Sequence, residues 1–254
     1  MKKNSNILNY RITNPSNFLA FLKKLKSVDS GVILEIEGDK IFSKVRTVDK
    51  AVIKYVSVNI TDVFEGELPS ERIKIPMPVD KLIGVFKYFG PEEELNFEIN
   101  IDKLDGDLVS TAIKFYSDSI NIHYRCGDPS LYSYVEDNIQ KMTHSSDGYL
   151  VSFEMSRSNF AKLFSLSTIE NNAEELLKFQ VNEKGLTVSG NSFQYNLIRD
   201  TTVNGFTKPE TYIIYKNQFN FVDAEQSNFY IHENRIVVNS TESETSIAIG
   251  LVEL

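Results

Sequence analysis

Residues 16–25 read SNFLAFLKKL, and residues 158–166 read SNFAKLFSL. In both stretches the apolar side chains recur at the spacing of one helix face. These are Phe18, Phe21, Leu22 and Leu25 in the first stretch, and Phe160, Leu163 and Phe164 in the second. Both stretches open with Ser-Asn, so Ser16 and Ser158 are candidate N-caps. Two copies of one helix indicate that the chain contains an internal duplication.

The segments after the two helices are also alike. Residues 32–45 and 176–188 each predict a β-hairpin, with turns at Gly38-Asp39 and between Asn182 and Gly185. A further strand and loop follow each hairpin. The repeat therefore extends well beyond the two helices.

A second helix then follows in each half, over 79–90 and, more weakly, over 216–226. Alternating strands come next, and both halves close on Ser-Ile-x-Ile, at 119–122 and 246–249. The matched order predicts an α+β protein with two tandem domains. We assign 1–135 to domain 1, 136–146 to a polar linker and 147–254 to domain 2.

The composition limits the class of protein. The chain has 254 residues, 41% of them hydrophobic, which is enough for a sizeable core. No apolar run approaches the ~20 residues that span a bilayer, and the first residues lack the apolar region of a secretory signal. A single cysteine suits a reducing cytosol, so we expect a cytoplasmic protein. One cysteine and three histidines exclude cysteine-rich zinc sites, and we expect no cofactor.

The charge is unevenly distributed. The formal net charge is −8, yet the four predicted helical segments together carry +5 and the remainder carries −13. Lys23, Lys24 and Lys162 point away from the apolar stripes of their helices. Two interpretations stay open, namely ordinary solvated helix faces or helices that share one side of the molecule and face a polyanion.

Several short segments resemble one known family. They are LKKLKSVDSGVIL at 22–34, GDPS at 127–130 after a predicted strand, and LFSLSTIENNAEELLKFQVNEKGLTVSG at 163–190. With the duplicated order, they resemble the DNA sliding clamps, the processivity factors of replicative polymerases. The similarity is greatest to clamps of T-even-like bacteriophages, which share a fold family with proliferating cell nuclear antigen. The weak, slightly acidic fourth helix and the long segment at 63–78 depart from the family's pattern.

The resemblance implies a fold and a set of partners. Two clamp domains per chain would form a closed homotrimer, with helices on the inner face, antiparallel sheets outside and edge strands joining the copies. Such a ring encircles double-stranded DNA without reading sequence, and a clamp loader opens it with ATP that the clamp itself does not hydrolyse. The ring tethers a DNA polymerase, and in phages it also activates late transcription, which places it in the host cell cytoplasm.

The resemblance also implies two groups of site residues. The DNA-contacting group is Lys23, Lys24, Lys26, Lys81, Lys87, Arg157, Lys162 and Lys216. Partner peptides would dock beside the linker and the last residues, at Tyr132, Tyr134, Val135, Ile139, Leu251, Val252 and Leu254. These apolar side chains could equally complete the cores of the two domains.

Two other functions remain alternatives. A metal-dependent nuclease could use Asp105 with Asp107, or the run at 92–94, although acidic residues in predicted turns are usually solvated. The chain could also be a clamp-like scaffold or an acidic DNA mimic that never encircles DNA. The separation of charge onto the helices favours the clamp.

The stretch INIHYRCGDPSLY, at 120–132, holds the only cysteine and a nearby histidine. His123 and Cys126 look like a catalytic dyad, but they lie three residues apart along a predicted strand, where side chains alternate between faces. We predict that Cys126 packs as a small apolar side chain and that 127–130 turns the chain into the linker.

Overall fold

The computed structural model describes residues 6–90, 93–132, 135, 148–168, 176–183, 185–197, 201–203, 208–222 and 226–252. The chain divides into two compact units. Unit 1 comprises Met1–Val45 and Tyr55–Val135, and unit 2 comprises Arg46–Lys54 and Glu136–Leu254. Residues 46–54, which the sequence assigned to the first domain, thus group with the second unit. None of the helices in the described ranges is long and apolar enough to cross a membrane.

Unit 1 alternates short helices with strands. Its elements are β1 (Asn6–Ile12), α1 (Pro15–Lys26), β2 (Gly31–Glu37), β3 (Lys40–Arg46), β4 (Val52–Asn59), β5 (Phe64–Gly66), β6 (Ile73–Pro78), α2 (Val79–Val85), β7 (Asn96–Leu104), β8 (Asp107–Tyr116) and β9 (Asn121–Arg125). Short 3₁₀ helices lie at Ile60–Asp62, Phe86–Tyr88 and Pro129–Leu131. The first residues of β4 belong to unit 2.

The strands of unit 1 form one sheet in the order β3-β2-β6-β8-β7-β1-β5, and β9 pairs with β8. The pairs are antiparallel except for β6 and β8, which run parallel through Ile73 opposite Leu108 and Lys74 opposite Val109. The sheet is therefore mixed at this pair, whereas the resemblance implied antiparallel sheets. The sequence gives no signal for it, since a parallel pair joins segments far apart in the chain.

Helix α1 covers the core of unit 1 as its pattern predicts, because Phe18, Phe21, Leu22 and Leu25 are all buried. The predicted cap is wrong. The helix starts two residues before the position that a cap at Ser16 predicts, with Pro15 at its first position. The Asn14 side chain accepts a hydrogen bond from the Asn17 amide at 3.0 Å. Proline is favoured at this position because its missing N–H has no partner in a helix.

Unit 2 repeats the order of unit 1. Its elements are β10 (Val151–Met155), α3 (Arg157–Thr168), β11 (Leu176–Asn182), β12 (Gly185–Ser189), β13 (Gln194–Leu197), β14 (Thr201–Val203), β15 (Glu210–Tyr215), α4 (Lys216–Phe219), β16 (Ser227–Ile231), β17 (Arg235–Ser240) and β18 (Thr245–Gly250). One sheet runs β14-β10-β16-β17-β18, and the other runs β13-β12-β11-β15. Residues 46–54 lie beside β18, where the Gly250 amide donates to the Ala51 carbonyl at 2.8 Å.

Both predicted hairpins are confirmed. Gly38 has φ 59°, and Gly185 has φ 126°, so each turn uses a backbone conformation that glycine adopts without strain. Helix α3 begins at Arg157, and the Ser156 hydroxyl accepts from the Asn159 amide at 3.4 Å, so Ser158 is not the cap.

The second helices are shorter than predicted. Helix α2 ends at Val85 and tightens into a 3₁₀ turn, and α4 has only four residues. Among the described residues of α4 and the following turn, the buried apolar side chains are Phe219 and Val222. A helix this short depends on packing rather than on its own propensity.

A charged cluster lies buried on strands β2 and β3 of unit 1. The Glu35 carboxylate, 1% exposed, pairs with the Arg72 guanidinium and lies 3.8 Å from the Lys44 ammonium. Burial raises the pKa of Glu35, and the charges of Lys44 and Arg72 oppose that rise. Both cations also lie over the ring of Phe42. The Lys44 ammonium is 5.5 Å from the ring centroid, and the Arg72 guanidinium carbon is 5.4 Å from it. The carboxylate is thus held by cations rather than by solvent.

Tyr10 on β1 supplies a testable link between pH and stability. Its ring is buried, its hydroxyl has no hydrogen-bond partner among the described residues, and burial raises its pKa to about 12. Ionisation of Tyr10 is therefore less favourable in the folded state than in the unfolded state. The neutral hydroxyl contributes to the stability of the fold in full below pH ~10, and that contribution is lost as the pH rises through about 12.

We expect Tyr10→Phe to unfold at a higher pH than the parent protein. A shift of two pKa units corresponds to a decrease of about 3 kcal/mol in the free energy of unfolding at alkaline pH, and the variant lacks this decrease. At pH 7 the two proteins should differ by about 1 kcal/mol or less, because the lost hydroxyl has no partner. Urea unfolding at neutral and alkaline pH measures both quantities. Tyr88→Phe, at a ring that is 68% exposed, is the matched control and should change neither.

Candidate functional site

The last turn of α1 carries three lysines, and the helix contains no acid. Lys23 and Lys26 are exposed and Lys24 is half-buried. Cations at a helix C-terminus face the carbonyl end of the helix dipole, which stabilises them there. The predicted separation of apolar and basic faces in α1 is confirmed.

One of these lysines is already neutralised. The Lys26 ammonium pairs with the Asp80 carboxylate in the first turn of α2, and both side chains are about half exposed. The pair joins the two helices of unit 1. Lys87, in the 3₁₀ turn that follows α2, is exposed.

Two lysines of the predicted DNA-contacting group lie over tyrosine rings. The Lys81 ammonium of α2 lies 5.0 Å from the centroid of Tyr124 on β9. The Lys162 ammonium of α3 lies 5.3 Å from the centroid of Tyr195 on β13. Both distances are in the range of cation–π attraction, which orients an exposed lysine without neutralising it.

The remaining predicted cations differ in exposure. Arg157 is exposed at the start of α3, whereas Lys216 is half-buried at the first residue of α4. Unit 2 therefore presents fewer exposed cations on its helices than unit 1. The weak fourth helix of the sequence prediction is the reason.

The predicted partner residues fall into three groups. Tyr134, Ile139 and Leu254 lie outside the described residues. Val135 is buried, at 1% exposure, so it has no surface with which to contact a partner. Leu251 and Val252 are half-buried in unit 2, where their amides donate to the carbonyls of Asn234 and Ile213.

Tyr132 lies against two glycines of unit 1. A Cβ atom on Gly127 would lie 2.6 Å from the Tyr132 hydroxyl oxygen, and one on Gly31 would lie 3.2 Å from its ring. Burial raises the pKa of Tyr132. The half-buried ring thus packs onto unit 1 a few residues before the predicted linker.

Val48 is an exposed apolar residue that the sequence analysis missed. It is 98% exposed in the turn after β3, and the Asp49 carboxylate closes that turn by accepting from Thr47 and from the Ala51 amide. The hydrogen bond between Ala51 and Gly250 brings the turn close to Leu251. A single valine in a polar turn carries no sequence signal, since its role depends on a contact made about two hundred residues away.

His123 and Cys126 do not form a dyad. His123 is exposed opposite Lys114, whereas Cys126 packs against the core of unit 1 and its thiol lies 3.3 Å from the Ser110 hydroxyl. Burial raises the pKa of the thiol, which opposes nucleophilic activation. Within the part of the chain that the structure describes, no three histidine, cysteine or acidic side chains are placed to hold a metal ion.

Comparison with known proteins identifies the architecture. No protein-family model and no curated protein matches the sequence. Among solved structures, the chain is similar to the DNA polymerase III subunit beta from Pseudomonas aeruginosa, with a TM-score of 0.66, 13% identity and coverage of 98% of this chain. For Proliferating Cellular Nuclear Antigen from Entamoeba histolytica the TM-score is 0.66, the identity is 11% and the coverage of this chain is 97%. For the DNA polymerase sliding clamp from P. aeruginosa the TM-score is 0.64, the identity is 12% and the coverage of this chain is 97%.

The chain has the sliding-clamp fold. It spans 99% of the length of the E. histolytica protein but only 65% of the length of each P. aeruginosa chain. The α+β prediction is confirmed, and the sliding-clamp fold explains why the order of unit 1 recurs in unit 2. At 11–13% identity the similarity establishes the fold alone.

Proposed function

We propose that this protein is a sliding clamp that encircles double-stranded DNA and serves as a processivity factor for a DNA polymerase. The observation that carries the proposal is the sliding-clamp fold combined with basic helices on an otherwise acidic chain. Topological linkage keeps a ring on DNA without tight binding. A modest positive potential on the helices is then sufficient, and the acidic remainder of the surface limits nonspecific adhesion.

The duplication suggests how copies of the chain would join. In unit 2, β18 has a strand segment from residues 46–54 beside it, and this segment leads into β4. By the repeat, β9 corresponds to β18 and β13 corresponds to β4. We therefore propose that β9 of one copy pairs with β13 of the next, a head-to-tail contact that closes at three copies and six domains.

The hydrogen bonds of both strands support this pairing. The Ser117 amide donates to the Ile120 carbonyl, so alternation along β9 leaves the backbone groups of Asn121, His123 and Arg125 pointing away from β8. The Gly190 amide donates to the Phe193 carbonyl, and the same alternation leaves those of Gln194 and Asn196 pointing away from β12. Among the strands that the structure describes, β9 pairs only with β8 and β13 only with β12, so their outer edges can complete each other's ladder.

The other parts of the predicted function rest on the resemblance. We propose a clamp loader and a polymerase as partners, with a partner peptide docking at Val48, Leu251 and Val252 of unit 2. A contact of that peptide with Tyr132 stays a prediction. The two predicted domains, the phage origin, the cytoplasmic location and the activation of late transcription stay predictions. A nuclease gains no support from the described residues, since none of their acidic clusters has metal-binding geometry.

Charge reversal tests the role of the basic helices. We expect Lys23→Glu, Lys24→Glu and Lys162→Glu together to weaken duplex binding at low salt by at least about tenfold. The slope of log K against log salt should fall by about 1 for each lysine that contacts a phosphate. Fluorescence anisotropy over a salt series measures both effects.

The control variant reverses three exposed lysines outside the helices, Lys103, Lys178 and Lys208, and changes the net charge equally. It should bind duplex DNA within about twofold of the parent protein if the helices form the DNA face. Equal losses in both variants would instead indicate a general charge effect, and no loss in either would favour the scaffold or DNA mimic.

A further inference from the structure

The hydrogen bond between Gly250 and Ala51 fixes how two strands meet inside unit 2. The Gly250 amide donates to the Ala51 carbonyl at 2.8 Å, and β18 lies beside the start of β4. Strand β18 ends at Gly250, whereas β4 begins at Val52, directly after Ala51. The two strands can therefore overlap only if they run antiparallel. In an antiparallel pair a hydrogen bond joins residues that lie directly opposite each other, so Gly250 faces Ala51 and Ile249 faces Val52.

Ile249 and Val52 form a close apolar pair where these strands meet, a place that we call the unit 2 junction. Ile249 is 1% exposed and Val52 is 0% exposed, and both belong to the core of unit 2. Because the backbone groups of Gly250 and Ala51 face each other, those of Ile249 and Val52 point away from the junction. Opposite residues of this kind have the closest side chains, with Cα atoms about 4.5 Å apart. The core-facing side of the junction is therefore packed by these two residues.

The repeat relates Ile122 of unit 1 to Ile249 of unit 2. Both halves of the chain close on Ser-Ile-x-Ile, and the second isoleucine is Ile122 in β9 and Ile249 in β18. Ile122 packs against the core of unit 1 but is only half-buried. Among the described strands, β9 pairs with β8 alone. Ile122 thus has the position of Ile249 without the neighbouring strand.

The hairpins relate Phe193 to Val52 in the same way. The loop between β3 and β4 is closed by the Thr47 amide, which donates to the Val52 carbonyl at 3.0 Å. The loop between β12 and β13 is closed by the Gly190 amide, which donates to the Phe193 carbonyl at 3.1 Å. Phe193 therefore has the position of Val52 in its own hairpin. It packs against the core of unit 2 but, unlike Val52, it is only half-buried.

We propose that β9 and β13 pair across the seam, the contact between two copies, in the register of the unit 2 junction, so that Ile122 of one copy packs directly against Phe193 of the next. This inference rests on the proposed ring closure and adds to it the register and the two side chains that hold the seam together. Pairing would bury Ile122 and Phe193 as Ile249 and Val52 are buried inside the chain. The partner that completes this surface is a second copy of the same chain.

Two features of the strands agree with this register. It sets Asn121 opposite Gln194, and the backbone groups of both residues point away from their own sheets, as the members of a hydrogen-bonded pair require. It also joins exposed polar faces, since His123 lies beyond Asn121 and Ser192 beyond Gln194, and all four are exposed. A shift by one residue would set Ile122 opposite an exposed polar side chain and would turn the backbone groups of one strand away from the other.

Cross-linking through introduced cysteines tests the register. In the variant Asn121→Cys/Gln194→Cys the two cysteines lie directly opposite each other, with Cα atoms about 5.5 Å apart, which suits a disulfide. We expect oxidation to convert most of this variant into a covalent species of three copies, which reduction returns to single chains. Nonreducing denaturing electrophoresis measures the yield. The parent protein, with Cys126 alone, should form no such species.

Two further cysteine pairs are matched controls at exposed positions of the same strands. In His123→Cys/Gln194→Cys the cysteines are displaced by two residues, and their Cα atoms would lie about 7 Å or more apart, too far for an unstrained disulfide. His123→Cys/Asn196→Cys reports a seam that is shifted by four residues. Both should cross-link at least about tenfold more slowly than the first variant. Equal or faster cross-linking in either control would overturn the register.

Truncation tests whether Ile122 and Phe193 contact each other. Ile122→Ala and Phe193→Ala should each raise the concentration at which half of the rings dissociate by at least about tenfold, because three seams lose the same apolar contact. The double variant should add little to either single effect, since each substitution already removes the contact. Sedimentation over a concentration series measures all three values. Single effects that multiply in the double variant, or no effect in either single variant, would overturn the contact.

The native mass of the parent protein separates this inference from the proposed function. A single chain at every concentration would refute the ring closure itself. A parent protein of three copies in which a control pair cross-links as fast as Asn121→Cys/Gln194→Cys would leave the ring in place and refute the register.

Discussion

Replacing Asn196 by proline is expected to convert the proposed ring of three copies into single chains. The backbone N–H of Asn196 points away from β12, so unit 2 loses no ladder hydrogen bond. At the proposed seam the same N–H would donate to β9 of the next copy. Its loss leaves a carbonyl unpaired, which costs about 1–3 kcal/mol at each seam. Because all three seams must close, the losses combine in the stability of the ring.

Asn196→Ala is the matched control for this experiment. It removes the same side chain, including the hydrogen bond that Asn196 accepts from the Thr187 hydroxyl at 3.0 Å, but keeps the backbone donor. Sedimentation at several concentrations should show three copies for the alanine variant and single chains for the proline variant. If the proline variant retains three copies with an unchanged dissociation constant, β13 does not form the seam.

Glu35→Ala is expected to have the largest effect on stability. It leaves the Lys44 ammonium and the partly buried Arg72 guanidinium without the carboxylate that lies between them. Breaking a buried ion pair by removing one partner typically costs 3–5 kcal/mol, roughly, because a buried charge loses its compensation. Chemical unfolding monitored by circular dichroism measures the change in the free energy of unfolding.

Asp107→Ala is the comparison on the same sheet. Asp107 pairs with Lys74 at 2.6 Å, but its carboxylate is 57% exposed, and such pairs contribute about 1 kcal/mol or less. The two variants should therefore differ by at least about 2 kcal/mol. Similar losses in both would mean that the Glu35 cluster is not more important than a surface pair.

The sequence predicted the features that arise from local periodicity. The apolar face of α1, both hairpins and the duplication follow from residue spacing, and the structure confirms them. The charge of Lys23 and its exposure could also be predicted, because a lysine opposite an apolar stripe points to solvent.

The features that could not be predicted from the sequence depend on contacts between segments that are far apart in the chain. The parallel pairing joins β6 and β8, which are far apart in the chain, and the cluster around Glu35 joins β2, β3 and Arg72, the residue before β6. Val48 is a candidate contact residue only because the hydrogen bond between Gly250 and Ala51 holds its turn beside β18. The helix caps failed for a local reason, since Asn14 followed by Pro15 competes with the next Ser-Asn pair as a start signal.

The native mass of the unmodified protein, measured from nanomolar to micromolar concentration, tests the central claim most directly. A ring predicts a species of three chains, each of 29.0 kDa, that dissociates only on dilution. The same species should persist when duplex DNA is added and should gain the mass of one duplex. A single 29.0 kDa chain at every concentration, with or without DNA, would contradict the ring.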